Sequence, residues 1–211
     1  MFDALEVRWT VVPLDYPEPW MACSGCGGVR AFRSSGKIRL NANGRRLDAW
    51  LIYKCRACDK TWNRPIFERR AVRSIDPAVI EAMQANDADW IRAQAFDLDA
   101  LRRRAKRIDE SAAFAIRKDI IREPPNWTRL EISIAVPLPL VVRLDRLLAA
   151  ELPLSRSRLG RMSDDGQLRI LLAEGDALRR RIRDGTRLVL DLAGEADRET
   201  LWRRAAIASP C

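Results

Sequence analysis

The fold is decided by residues 23–58, which read CSGCGGVRAFRSSGKIRLNANGRRLDAWLIYKCRAC. Two CxxC pairs enclose this stretch, Cys23 with Cys26 and Cys55 with Cys58, and 28 residues separate the pairs. A CxxC turn points two thiolates at one metal ion, and two such turns complete a tetrahedron. The spacing therefore predicts one zinc ion bound by four cysteines. Because four thiolates close the coordination sphere, we expect this zinc to be structural.

Three other roles for the cysteines stay open at this point: disulfides, a redox-active CxxC, and buried thiols without a metal. The first six residues carry acids where a signal peptide carries bases, so we expect a cytoplasmic protein with reduced cysteines. A redox motif needs only one CxxC pair. The chain contains no histidine, so any zinc ligand has to be a thiolate or a carboxylate.

A β-hairpin predicted between the two pairs brings them together. Residues 37–42 alternate between polar and apolar types, and residues 45–55 form the expected return strand. Asn43 and Gly44 are the preferred pair for a type I′ turn, in which both residues have positive φ. A CxxC turn is often followed by a residue with positive φ, for which Gly27 is well suited. The N-terminal segment is thus expected to be a zinc ribbon.

The positive charge of the chain is concentrated in the same segment. The net charge is +9 overall, and residues 20–73 alone hold 13 Lys/Arg and 3 Asp/Glu. Arginine-rich codon usage also makes a chain basic, but codon usage does not gather the excess in one segment. Basic segments attract nucleic acids. The candidate contacts in the hairpin are Arg39, Arg45, Arg46 and Lys54.

Aromatic residues lie among these bases and have two possible roles. Trp50, Tyr53, Trp62 and Phe67 could stack on unpaired bases of a nucleic acid. They could also pack the thin ribbon, which otherwise lacks a core. We expect Trp50 and Trp62 to have this packing role.

Changes in the residue pattern divide the chain into three predicted parts, which together make an α+β fold. The zinc ribbon covers residues 1–73, and a middle segment of helices and strands covers residues 74–139. Pro137 and Pro139 mark the boundary to a C-terminal module, residues 140–211.

Strands and helix starts within these parts follow from local signals. Residues 5–14 are rich in β-branched and aromatic types and predict an opening strand. In the middle segment, residues 114–121 and 130–136 are expected to form two further strands. Three helices precede them, each capped by an acidic or amide side chain. The predicted N-caps are Asp76, Asn86 or Asp87, and Asp97.

Residues 41–63, NANGRRLDAWLIYKCRACDKTWN, resemble a bacterial family known as domain of unknown function 1062. The resemblance extends over most of the chain. It carries no activity, substrate or partner to this sequence.

The C-terminal segment resembles a different motif. Residues 142–148, 154–158, 165–170 and 183–190 follow one another in the order of the alpha-L RNA-binding motif, best known from small-subunit ribosomal protein number four. The resemblance implies two short helices and a few strands, and Ser155 is a suitable N-cap for the second helix. RNA would be held by arginines on the two helices: Arg143, Arg146, Arg156, Arg158 and Arg161.

The same segment departs from the motif in two ways. The strand turn that usually carries an Asn-Gly pair is missing, and residues 171–183 stand in its place. Asp164 and Asp165 put negative charge beside the basic helix. We expect Arg158 and Arg161, three residues apart, to lie on one side of that helix.

These features predict a non-catalytic, zinc-containing protein that binds structured RNA, such as ribosomal or transfer RNA. Two alternatives remain: a DNA-binding, transcription-associated zinc-ribbon protein, and a protein-interaction scaffold. The sequence contains no glycine-rich phosphate loop and no nucleophile elbow, so no catalytic residue is assigned. No apolar run approaches the ~20 residues that span a bilayer, so we expect no association with a membrane.

Overall fold

The computed structural model describes residues 4–171, 177–194 and 198–207, and these divide into two compact units. The cysteine unit is Asp15–Ser111. The split unit joins Met1–Leu14 to Ala112–Cys211. Each unit combines a five-stranded sheet with helices, so the predicted α+β class is confirmed.

Ten strands and six α-helices make up the described parts of the chain. The strands are β1 (Ala4–Pro13), β2 (Glu18–Cys23), β3 (Gly28–Asn43), β4 (Arg46–Cys55), β5 (Thr61–Ala71), β6 (Arg107–Asp109), β7 (Phe114–Arg122), β8 (Arg129–Ala135), β9 (Leu168–Leu171) and β10 (Thr186–Asp191). The helices are α1 (Pro77–Ala85), α2 (Ala88–Ala95), α3 (Leu98–Arg102), α4 (Leu144–Glu151), α5 (Arg156–Asp164) and α6 (Arg198–Ala206).

The sheet of the split unit is built from distant parts of the chain. Its strand order is β7-β1-β8-β10-β9, in which β1 runs parallel to β8 and antiparallel to β7. Helices α4, α5 and α6 contribute apolar side chains to one core with the inward side chains of these strands. Among the latter, Trp9 is fully buried, and its indole Nε1 donates a hydrogen bond of 2.8 Å to the carbonyl of Ala205 in α6.

The cysteine unit is inserted between the neighbouring strands β1 and β7. Pro13 pairs with Phe114, and the amide of Leu14 donates to the carbonyl of Ala113 at 3.0 Å. The chain therefore leaves the split-unit sheet and returns to it at adjacent points. Insertions at such closely spaced ends are well tolerated, because both units keep their own core.

The sheet of the cysteine unit is antiparallel, with the order β5-β4-β3-β2-β6. Helices α2 and α3 cover one face, where Ile91 and Leu101 belong to the same core cluster as Leu51 and Tyr53. A second cluster places Met83 of α1 with residues of β4. The ribbon thus has a helical cover as part of its core.

These units differ from the predicted parts at both boundaries. The helices after residue 73 pack on the ribbon sheet, so the sheet and the helices belong to one unit. The prolines at 137 and 139 follow β8, but β8 pairs with β10 from the C-terminal segment, so one sheet spans that boundary as well. Strand pairing between distant segments leaves no local signal in the sequence.

The predicted helix starts are confirmed at three positions. Asp76 accepts from the amide of Ala78 at 2.9 Å, and Asp97 accepts from the amide of Ala100 at 2.9 Å. Of the two candidates for the second helix, Asp87 is the N-cap, whereas Asn86 ends α1 in the left-handed region with φ 50. These caps satisfy backbone amides at helix starts that would otherwise lack partners.

The predicted turn of the long hairpin is shifted by one residue. Asn43 pairs with Arg46, so the two-residue loop is Gly44-Arg45. Gly44 has φ 58, and neither Asn43 nor Arg45 has a positive φ. A glycine alone in the first central position is typical of a type II′ turn, which also matches the twist of the flanking strands.

Removal of one helix side chain tests whether the helices belong to the ribbon core. Leu101 is fully buried in the cluster that contains Tyr53, so Leu101→Ala is expected to destabilise the cysteine unit by about 2–5 kcal/mol. The neighbouring Arg102 side chain is exposed, and Arg102→Ala is expected to change stability by less than about 0.5 kcal/mol. Urea unfolding of the full chain measures both. Equal stability of the two variants would contradict this description of the core.

Candidate metal centre and basic surfaces

Each CxxC pair occupies the turn between two antiparallel strands. Cys23 ends β2 and Cys26 lies before β3, while Cys55 ends β4 and Cys58 lies before β5. In both turns the residue after the second cysteine donates its amide to the carbonyl of the first cysteine at 3.0 Å. That residue has positive φ in both turns: 67° at Gly27, as predicted, and 55° at Asp59. The two turns therefore have the same backbone form.

The four sulfur atoms converge on one point. All four Sγ atoms lie within 4.8 Å of one another, with 3.5 Å between Cys23 and Cys58 and 3.9 Å between Cys26 and Cys55. A tetrahedral zinc ion with bonds of about 2.3 Å holds its sulfurs about 3.8 Å apart. The four cysteines are therefore close enough to bind one metal ion. None of them forms a disulfide, which requires sulfurs about 2.05 Å apart.

The four thiols influence one another's ionisation. Burial raises the pKa of the Cys23 thiol, but hydrogen bonds from the amides of Cys26 and Gly25 and from a neighbouring thiol bring the pKa down to about 7. The hydrogen bond with Cys58, followed by burial, raises the pKa of Cys26 to about 12. One thiolate is thus stabilised by backbone amides, whereas four adjacent thiolates require a positive charge between them.

Close packing around the sulfurs limits what the first CxxC turn can contain. A Cβ atom added to Gly25 would lie 3.1 Å from the Sγ of Cys58, which is closer than ordinary van der Waals contact. Cys23 and Cys55 are buried in the main core cluster of the cysteine unit, Cys26 is half-buried and Cys58 is exposed. The site is therefore anchored on its inner side and open to water at one sulfur.

The basic residues predicted on the hairpin separate into two groups. Arg39 and Lys54 line a groove of about 760 Å³ on the outer face of the sheet. Arg45 lies in the turn at the other end of the hairpin, and Arg46 donates to the carbonyl of Arg69 at 3.2 Å. The structure thus brings Arg39 and Lys54 to one groove and leaves the other two outside its lining.

Two further cations line the same groove, and they were not among the candidate contacts predicted from the sequence. Arg33 and Lys37 both lie on β3, on either side of a register shift between Ser34 and Ile38. Gly36 in this bulge has φ 66, and a glycine inside a strand is the local signal that could have indicated a bulge. An extra residue in a strand changes which side chains share a face, so simple alternation fails at this point.

Trp50 on β4 and Trp62 on β5 have different environments. Trp62 packs against the core with its ring centroid 6.4 Å from Phe32 and 5.1 Å from Tyr53, so its predicted packing role is confirmed. Trp50 lies outside both core clusters of the cysteine unit. Its ring is half-buried on the outer face, with the guanidinium of Arg39 5.9 Å from the centroid. The packing prediction was wrong for Trp50 because residue 50 alternates with buried residues on β4.

The C-terminal arginines are organised around one buried carboxylate. Asp145 in the first turn of α4 is buried and accepts from Arg143 at 3.0 and 2.8 Å and from Arg156 at 3.1 Å. The side chains of Arg143 and Arg156 stay 43% and 61% exposed, so their remaining donors reach water. Ser155 accepts from the amide of Arg158 at 3.1 Å and is the N-cap of α5, as predicted.

The other predicted arginines are distributed unevenly around these helices. Arg161 is exposed and lines a groove of about 600 Å³ with Arg156 and Arg179. Arg158 is half-buried and lies outside that lining, so the structure groups Arg161 with Arg156. Arg146 is exposed on α4.

The described part of the segment that replaces the Asn-Gly turn, residues 177–183, contacts the start of α4. The amide of Leu144 donates to the carbonyl of Arg180 at 3.0 Å, and Arg143 forms an isolated bridge with Arg181. Its residues 172–176 lie outside the described residues. The described part brings the basic run 179–181 beside the start of α4, which sequence order alone did not predict.

The chain belongs to the family described as protein of unknown function (DUF1062), whose family model matches residues 40–173. The match includes the second CxxC pair, the helices of the cysteine unit and the pair α4 and α5. No curated protein and no solved structure matches the chain. None of the described helices is both long and apolar enough to cross a membrane.

A small substitution beside the sulfurs tests the geometry of the metal centre. Gly25→Ala is expected to weaken zinc binding about tenfold or more, because the added methyl group crowds the Sγ of Cys58. Gly28→Ala is the matched control, since its Cβ would meet only the flexible guanidinium of Arg30 at 3.6 Å. Competition with a chromophoric chelator measures both affinities. Unchanged affinity in Gly25→Ala would show that the four sulfurs do not share one ion.

Proposed function

We propose that this protein is a non-catalytic, zinc-containing protein that binds structured RNA, of the ribosomal or transfer RNA class. The observation that carries the RNA assignment is the pair of arginines fixed by Asp145 at the start of two neighbouring helices. The zinc assignment rests on the four converging sulfurs.

Zinc fits the donor set of the cysteine unit. Four thiolates in a tetrahedral arrangement suit zinc or iron, and the short distances between the sulfurs favour a single ion over a larger cluster. Cys23, Cys26, Cys55 and Cys58 would hold the ion, which would supply a cross-link between the two hairpin turns. With all four positions filled by cysteine, no position is left for water or substrate.

The arginine pair has the properties of a preorganised phosphate site. Each guanidinium carries five N–H donors, and Asp145 accepts only three hydrogen bonds from Arg143 and Arg156 together. Donors of both arginines therefore remain for a ligand. The carboxylate holds both groups in position and cancels only one of the two charges. Arg161 and Arg179 add two further cations to the groove lined by Arg156, and Asp164 adds one acid. Fixed, planar donors bind phosphate in a bidentate manner and lose little entropy on binding.

The order of elements around this groove resembles the alpha-L RNA-binding motif. Two short helices, α4 and α5, are followed by strands β9 and β10, as the resemblance implies. The missing Asn-Gly turn is replaced by a segment whose basic run lies beside α4. This replacement increases the positive charge at the groove, which supports an anionic ligand.

Two alternatives make different predictions about binding. A DNA-binding protein would prefer duplex DNA over transfer RNA in direct competition. A protein-interaction scaffold would bind neither nucleic acid at physiological salt and would hold a stable protein partner. Structured RNA is favoured because Arg156, one of the two fixed arginines, lines a concave groove beside α5.

The zinc assignment predicts about one zinc ion per purified chain by elemental analysis. Cys55→Ser is expected to abolish zinc binding and to unfold the cysteine unit, because metal binding and folding are coupled in such sites. Cys211→Ser, which lies outside the described residues, is the matched control and is expected to keep the zinc. Zinc is also expected to leave as pH falls, since protons compete for the thiolates. A folded chain with four titratable thiols and no metal would contradict the site.

The RNA assignment predicts a charge-dependent loss of binding at the groove of α5. Arg161→Glu is expected to weaken transfer RNA binding and to lower the slope of log affinity against log salt by about one. Arg156→Lys keeps the charge but loses the planar fork, so affinity should fall with little change in slope. Fluorescence anisotropy with labelled transfer RNA at several salt concentrations measures both.

The matched control for this experiment is Arg104→Glu, which makes the same charge change at an exposed residue of the cysteine unit. If Arg161→Glu and Arg104→Glu bind transfer RNA equally well, the groove of α5 is not the RNA site. A preference for duplex DNA in competition would transfer the assignment to DNA.

A further inference from the structure

The two faces of the cysteine-unit sheet differ in the residues that they present. Along β4, Leu47, Ala49, Leu51 and Tyr53 are buried toward the helices. The alternate residues of β4 point to the opposite face, which no described element of the cysteine unit covers. Side chains of three strands therefore form one continuous surface, the outer face of β3, β4 and β5.

A basic groove lies in this face where β3 bulges. The bulge near Gly36 bends β3 away from regular pairing and opens a concavity of about 760 Å³. Among the described residues that line it, none is acidic and four are basic: Arg33, Lys37, Arg39 and Lys54. The remaining lining consists mainly of hydroxyl and amide side chains: Ser34, Ser35, Thr61 and Asn63.

The charge of the groove is largely unopposed. Asp59 lies 3.9 Å from Arg33, and both side chains are more than half exposed. An ion pair of this length between exposed groups is weak and screened by salt. Four cations close together with hydrogen-bonding side chains between them favour an anionic ligand with several phosphates.

Trp50 adds an aromatic surface next to these cations. It is the direct cross-strand partner of Arg39, whose guanidinium lies 5.9 Å from the indole centroid. The ring is half-buried on a polar face and takes no part in either core cluster, so the core does not account for a tryptophan here. An indole beside cations on a sheet surface is a platform on which an unpaired base can stack.

We propose that this outer face binds a single-stranded segment of nucleic acid, with one base stacked on Trp50 and its phosphates held by Arg33, Lys37, Arg39 and Lys54. The proposal rests on the proposed function in that the ligand is a nucleic acid, but it concerns another unit of the chain and another ligand. Stacking requires an unpaired base, because the faces of bases within a duplex are already covered. A mixed surface of cations, hydroxyls and one indole binds such strands with little sequence preference.

The experiment uses the full-length protein and fluorescein-labelled ten-nucleotide strands of uridine, adenosine and thymidine. Trp50→Ala is expected to weaken binding about tenfold, whereas Trp50→Phe keeps an aromatic ring and most of the affinity. Arg39→Glu is expected to weaken binding and to lower the salt slope by about one. Arg45→Glu makes the same charge change on the same hairpin, outside the groove lining, and should bind nearly as wild type. Circular dichroism and zinc content check that each variant is folded.

The outcomes separate this site from the groove at α5. Loss of single-strand binding in Trp50→Ala, with transfer RNA binding retained, supports the proposal, and Arg161→Glu should show the reverse pattern. Comparison of the uridine and thymidine strands assigns the ligand to RNA or DNA. Wild-type affinity in Trp50→Ala, equal loss in Arg39→Glu and Arg45→Glu, or equally tight binding of a duplex would each overturn it. If transfer RNA binding fails while single strands bind normally, only the function assigned to α5 is lost.

Discussion

The convergence of four thiols on one point is the constraint on which the cysteine unit depends. Each sulfur belongs to a turn that joins two strands, so the site brings the β2–β3 turn together with the β4–β5 turn. Four thiolates in this arrangement would repel one another, and a cation among them would offset that repulsion. Because Cys23 and Cys55 also belong to the core cluster with α2 and α3, occupation of the site is coupled to the packing of the helices. A metal ion here would stabilise the whole unit, not only the turns.

Local parts of this arrangement could be predicted from the sequence, because their physical causes lie within a few residues. The CxxC spacing predicted which four cysteines lie close together, and short polar residues before apolar runs predicted the helix starts at Asp76, Asp87 and Asp97. The same holds for positive φ at Gly27, since the turn geometry at that position favours glycine. For the helix caps and for the turn at Gly27, the interaction that forms the structure joins residues fewer than five positions apart.

Features that depend on distant contacts could not be predicted in this way. β1 pairs with β8 over a separation of more than one hundred residues. The N-terminal strand therefore belongs to the split unit, whereas the sequence pattern grouped it with the ribbon. Asp145 was given no role from the sequence, yet it is buried and organises Arg143 and Arg156. The bulge at Gly36 changed which basic residues share a face. Pairing partners, burial and register are properties of the folded chain, and composition does not contain them.

The concentration of charge in residues 20–73 illustrates the same distinction. Arg64 is 2% exposed, donates to the carbonyl of Gln94 at 2.6 Å, and burial lowers its pKa. Arg56 faces Glu18 at 3.6 Å, and Arg46 is bonded to the backbone of β5. Such cations are used within the unit, so the net charge of the segment overstates what a ligand meets. The bulge in β3 gathers four other cations on the outer face. The electrostatic character of the surface therefore follows from strand register as well as from the number of basic residues.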